Sequence, residues 1–280
     1  MRGSVNLKTT PKKRDNMTKM PLSQEDKEIL LSQSGSKTLA QWKEFFGDKY
    51  TKKQIYDFCY RHCEKPKKIS EEERSKTQSN NSRKYHIKQD YFKEWSHNMA
   101  YILGLWYADG CIYGGRLFDI TLHKKDKYLL KRVAEELGYE GILYDYVDRQ
   151  AARLNFSCKV MYNDIVALGG TEQKSLTVTF PKIPHEYLYD FIRGYFDGDG
   201  CIMRLKGNRI NSAFTCGSKV FLESLLEILK KEADIEGGAF DDSCASLKFG
   251  KRDSIRLGKY MYQDNPELFL KRKKEKFPLD

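Results

Sequence analysis

Two aspartates stand in matching contexts 90 positions apart, at the ends of Ile102-Leu-Gly-Leu-Trp-Tyr-Ala-Asp109-Gly110 and Ile192-Arg-Gly-Tyr-Phe-Asp-Gly-Asp199-Gly200. In each stretch one small residue precedes another by four, Gly104/Ala108 and Gly194/Gly198. On a helix such residues share a face. That face can meet a second helix almost backbone to backbone, closer than the usual ~8 to 10 Å between packed axes. Packed in parallel, the two helices bring Asp109 and Asp199 out at the same end of the seam. Carboxylates so placed repel unless a positive charge lies between them, and carboxylate oxygens suit hard divalent cations such as magnesium. Asp197 points elsewhere on its helix and is the weaker ligand candidate. The ordinary alternative, a buried helix capped by Asp-Gly, accounts for one copy but not for the repetition.

These nonamers resemble the signature of the LAGLIDADG homing endonucleases in their single-chain, two-copy form. The second, Phe191-Ile-Arg-Gly-Tyr-Phe-Asp-Gly-Asp-Gly-Cys-Ile202, is the closer, and bulky Trp106 and Tyr107 are departures in the first. The resemblance implies a site-specific double-strand DNA endonuclease that hydrolyses phosphodiesters with Mg2+ or another divalent cation such as Mn2+. Asp109 and Asp199 are then the metal ligands and catalytic acids, with the carbonyls of Ala108 and Gly198 as further donors. It also implies a lysine from each half beside the reacting water. Lys174, ahead of Phe180-Pro181, and Lys273, ahead of Phe277-Pro278, stand where the family places one; Lys159 and Lys251 are alternatives.

The elements needed to position these groups are legible around them. After Asp109-Gly110, strand-like Cys111–Tyr113 and Arg116–Leu122 flank Gly114-Gly115, a hairpin signal. Asp126 opens a helix to Leu137, stopped by Gly138. Strand-like 141–147 and 152–158 precede a helix at 161–168. The second copy reads alike: 201–205 and 210–215 around Gly207-Asn208, Ser218 capping a helix to Ala233, short strands at 239–240 and 245–249, and a helix at 254–262. Each half is αββαββα, an α+β order with antiparallel sheets, and two such sheets beside the paired helices form a saddle. Repeats are expected over 95–180 and 181–280. The open sheet faces should carry Arg116, Asp119, Thr121, Arg204, Lys206, Arg209, Asn211, Lys248 and Arg252 as a set that meets DNA bases.

Upstream, residues 1–20 are basic and without period, and read as a disordered tail. Residues 21–63 carry three short helical patterns begun by Ser23, Thr38 and Thr51. They are similar to a helix-turn-helix module, whose last helix would present Lys52, Lys53, Gln54 and Arg61 to DNA. Residues 64–94 read as a polar linker.

Of the 280 residues, 50 are Lys or Arg and 39 Asp or Glu, a net charge of +11. Residues 1–95 hold 22 basic against 13 acidic, so +9 of the excess is N-terminal. Such a field draws in polyanions. No run approaches the ~20 apolar residues of a membrane span and no secretory signal opens the chain, so a cytoplasmic, DNA-associated protein is expected. Seven cysteines without a framework read as thiols, and Cys59-x-x-His62-Cys63 lacks a fourth zinc ligand. Motifs of other enzyme classes are absent, as are splicing-junction residues at Met1 and Asp280. A non-catalytic transcription regulator and an RNA-binding intron maturase are the alternatives on the same fold. Because the chain brings both halves itself, a monomer is expected.

Overall fold

The computed structural model describes residues 21–63 and 85–279, Val147, Asn208 and Cys244 aside. The tail at 1–20 and most of the expected linker, 64–84, lie outside them. The chain divides into two compact units, 1–75 and 76–280.

The first unit holds α1 (Gln24–Ser32), α2 (Leu39–Phe46) and α3 (Lys52–His62). Ser23, Thr38 and Thr51 each accept a hydrogen bond from the amide three residues on, which satisfies a helix-end donor. Leu30, Trp42, Phe46, Tyr50, Ile55 and Cys59 form a core of their own. Burial, then neighbouring Cys63, pushes the Cys59 thiol up to about 11, so it is an inert core group, not a ligand thiolate. Asp26 sits under this core. Its carboxylate accepts from the Tyr50 hydroxyl at 2.5 Å and pairs with Lys49 at 2.6 Å.

The second unit opens its first repeat with α4 (His97–Asp109), β1 (Gly110–Tyr113), β2 (Leu117–His123), α5 (Lys127–Glu136), β3 (Tyr144–Tyr146), β4 (Ala151–Ser157) and α6 (Lys159–Ala167). The second repeat runs α7 (Leu188–Asp199), β5 (Gly200–Leu205), β6 (Arg209–Thr215), α8 (Lys219–Glu232), β7 (Ala239–Asp241), β8 (Ser246–Phe249) and α9 (Lys251–Met261), and a short helix α10 (Lys271–Lys274) follows. Each sheet has four antiparallel strands, in the orders β1-β2-β4-β3 and β5-β6-β8-β7. This is the α+β saddle, with the pair α4 and α7 between the sheets. A single apolar core runs through the unit, from Phe92 and Leu103 to Phe214 and Phe277.

Two expectations about the chain between motifs are corrected. Residues 85–94 are not linker: Phe92 is buried with its ring 6.0 Å from that of Phe118, and the Lys88 amide donates to the Leu137 carbonyl. An aromatic pair inside a polar run supplied the apolar area that the local composition hid. Asp126 precedes α5 but makes no cap bond. Its carboxylate takes the Arg272 guanidinium at 2.7 to 3.1 Å, tying the first repeat to α10. A two-pronged, charged partner is the stronger one.

Candidate active site

At the seam between α4 and α7 the two helix backbones leave no room for a side chain at either central glycine. A Cβ on Gly104 would stand 2.0 Å from the Phe191 carbonyl oxygen, and one on Gly194 would stand 2.0 Å from that of Tyr101. The two contacts are one contact repeated, since Tyr101 and Phe191 precede their glycines by three. At the C-terminal end of the seam a Cβ on Gly198 would lie 2.3 Å from the Ala108 Cβ and 3.0 Å from Asp109 Oδ2. A side chain at 198 would meet the Ala108 methyl group first and the Asp109 carboxylate next.

Asp109 and Asp199 therefore emerge together, half-buried. Burial, then the charge of Asp199, pushes the Asp109 carboxyl up to about 6. Burial likewise raises Asp199, against the pull of Lys174 and Lys273. Two carboxylates raised in this way lack a full counter-charge, which a divalent cation would supply. The oxygen donors fit a hard ion. Among the described residues no group of three or more His, Cys, Asp and Glu gathers anywhere, so main-chain oxygens and water would complete the shell. The Gly198 carbonyl accepts from Lys273 Nζ at 3.1 Å, so as a donor it is already shared.

The two lysines occupy equivalent places. Buried Lys174 donates to the carbonyl of Gly110, the residue after the first acid, with its ammonium 5.0 Å from the Trp106 ring. Buried Lys273 donates to Gly200, the residue after the second, at 2.6 Å, with its ammonium 5.5 Å from the Phe196 ring. Lys273 also reaches the Phe196 and Asp197 carbonyls at 2.7 Å, which satisfies the orphan acceptors ending α7. Burial lowers both, Lys273 to about 8, while neighbouring carboxylates resist the fall. Lys159 and Lys251 are instead exposed first residues of α6 and α9. Asp197 faces away into the unit, where it accepts from the Tyr101 hydroxyl and the Leu270 amide, each at 2.7 Å.

The proposed DNA set divides. Thr121, Arg209, Asn211 and Lys248 lie on outward strand positions, and Arg116 and Lys206 lie in the hairpin turns. Arg204 does not face outward with Met203 and Leu205. It alternates to the other side of β5 and donates to the Lys276 and Glu275 carbonyls at 3.0 and 2.9 Å. Arg252 is on α9, not on a strand. Asp119 is buried by its own neighbours: it takes Arg153 Nε, Asn155 Nδ2 at 2.8 Å and Thr121 Oγ1 at 3.1 Å. In the first unit Lys52, Lys53 and Arg61 are exposed on α3, but Gln54 turns back to accept from the Thr51 amide at 3.0 Å as half of a capping box. Arg153, Asn155, Tyr113 and Tyr146, which were not among the expected residues, are joined to Asp119 or to one another by hydrogen bonds on this face. Alternation in β4, with Ala152 and Leu154 buried, carried the signal that 153 and 155 point out.

A family model described as a LAGLIDADG-like domain matches residues 186–237. A curated relative, the probable translation initiation factor IF-2 of Methanocaldococcus jannaschii, is 30% identical over 146 residues, 49% of this chain. The chain spans only 12% of that protein. Similar solved structures include the homing endonuclease I-WcaI bound to its DNA recognition sequence, at 16% identity and TM-score 0.45 over 68% of this chain and 92% of that one. Another is the I-LtrWI LAGLIDADG homing endonuclease bound to target DNA, at 14% identity and TM-score 0.44 over 67% and 88%.

Proposed function

We propose that this chain, a two-copy LAGLIDADG protein, is a site-specific endonuclease that cuts double-stranded DNA with a divalent metal, Mg2+ or Mn2+, held by Asp109 and Asp199. The carrying observation is the seam end, where two half-buried acids emerge side by side and each following glycine carbonyl holds a buried ammonium. Bound there, the metal would polarise the phosphodiester and lower the pKa of a water so that it gives up a proton and attacks as hydroxide. The tight seam keeps the two carboxylates at a fixed separation. Lys174 and Lys273 place positive charge beside the acids, where phosphate charge grows during cleavage. The outward strand residues Thr121, Arg209, Asn211 and Lys248, with Arg116 and Lys206 in the turns, meet the duplex on either side. Lys52, Lys53 and Arg61 of α3 add contacts from the first unit. One chain supplies both halves, so the active form is a monomer.

A plasmid library incubated with magnesium tests this reading. Wild type should cut one sequence, whereas Asp109→Asn and Asp199→Asn should each lose cleavage and keep DNA affinity within a few-fold. Retained nicking by both variants with loss of binding would overturn the assignment.

A further inference from the structure

On the outward face of the first sheet the Arg153 guanidinium is fixed at three corners. Its Nε donates to Asp119, Nη1 donates to the Tyr146 hydroxyl at 2.8 Å, and Nη2 reaches the Tyr113 hydroxyl at 3.4 Å. Asp119, itself 4% exposed, is braced by Asn155 and Thr121. A guanidinium has five N–H bonds. These contacts use one on each nitrogen and leave one on each terminal nitrogen unspent. The side chain remains 27% exposed, and Tyr113 and Tyr146, 39% and 37% exposed, flank it. Such a brace serves no core, because the apolar side of the sheet is the other one.

We propose that Arg153, oriented by Asp119, is a specificity-determining residue that reads one guanine in the major groove of the half-site under the first sheet. The proposal rests on the DNA-endonuclease reading above. Two parallel donors on one planar group match the O6 and N7 acceptors of guanine. Holding them in place beforehand removes the ordering cost that a free arginine meets on binding. The Asp119 charge also cancels that of Arg153, which makes the pair a poor phosphate clamp and a good base reader. The second sheet lacks a braced arginine among its described residues: Ala213 stands at the register position of Asp119, and Lys248, paired with Asp241 at 2.5 Å, at that of Asn155. The guanine therefore belongs to one half-site only. Asp119 acts through Arg153, as a positioning residue.

The test uses the full chain and a randomised duplex library, with binding of the selected duplex measured over a salt series. Wild type should enrich guanine at a fixed position on one side of the centre. Arg153→Ala should lower preference for that guanine about tenfold, leave other positions unchanged and leave the salt slope intact. Asp119→Asn should weaken the same single position, and Arg153→Lys should not restore it. Matching far-ultraviolet circular dichroism and melting curves show that the variants fold. An unchanged guanine preference in Arg153→Ala overturns the proposal. So does a uniform loss of affinity with a slope shallower by about 0.9, the mark of a phosphate contact. If wild type enriches no duplex at all, the endonuclease reading itself fails and this proposal with it.

Discussion

Asp109 works against the stability of the metal-free fold. Its carboxyl is raised from 3.8 to about 6 by burial and by Asp199. The folded state thus holds a proton that the unfolded chain has released, and stability falls as pH rises through that window. Asp109→Asn should raise the melting temperature of metal-free protein at neutral pH by roughly 2 to 4 °C, on the order of 1 kcal/mol. The advantage should open between about pH 4 and pH 6 and hold above. Thermal scans with and without magnesium check this, and a variant that melts lower removes the repulsion argument. Asp26 has the opposite sign. Lys49 first, then Ser23 and Tyr50, hold its carboxyl down to about 2. Its support of the first unit is complete above about 3.8 and lost as pH falls through about 2. Asp26→Asn should therefore destabilise that unit at neutral pH and flatten its acid unfolding, followed by the fluorescence of Trp42. At this scale the acids were legible because their types and spacing repeat. Arg204 and Gln54 were not, because their polar partners lie on carbonyls and amides that no side-chain pattern reveals.

The elements were legible where period and punctuation agreed. Ser23, Thr38, Thr51 and Ser218 cap the helices expected of them, and Gly114-Gly115 and Gly207 turn their hairpins with positive φ. The outer strands β3 and β7 are only three residues each, too short for alternation to mark their bounds. The paired helices bear the most exacting prediction. Gly104→Ala sets a methyl group 2.0 Å from a backbone oxygen that no rotamer change can move. The variant should lose about 3 kcal/mol or more in urea unfolding. Ala108→Gly, at the open end of the same face, should cost about 1 kcal/mol. Equal costs would mean that the helices part easily and that the seam does not fix the acids.

For the whole molecule, the basic excess was legible as composition, while the boundary between units was not. Phe92 belongs to the second unit's core, so a truncation that tests the first unit must stop near residue 75. Residues 1–75 carry 17 basic against 11 acidic side chains, a net of +6. Removing them should weaken DNA binding and make its salt dependence shallower by roughly 0.9 per lost phosphate contact. The position of cleavage should not move, since both acids and both sheets remain. Binding over a salt series, with cleavage mapped on a library of randomised flanks, checks both parts. An unchanged slope would mean that the first unit does not touch DNA.

The reciprocal contact of Gly104 with Phe191 and Gly194 with Tyr101 also bears on how such a chain can diverge. Each glycine is pinned by the other helix's backbone, which has no smaller form to offer, so a change on one side cannot be rescued by a second change opposite. Sheet positions carry no such lock: Asp119 and Ala213 already differ at one register. If the chain reads DNA as proposed, the two halves can drift apart in what they recognise over generations while the joint between them stands still, and a new target can be acquired on one flank without relearning the other.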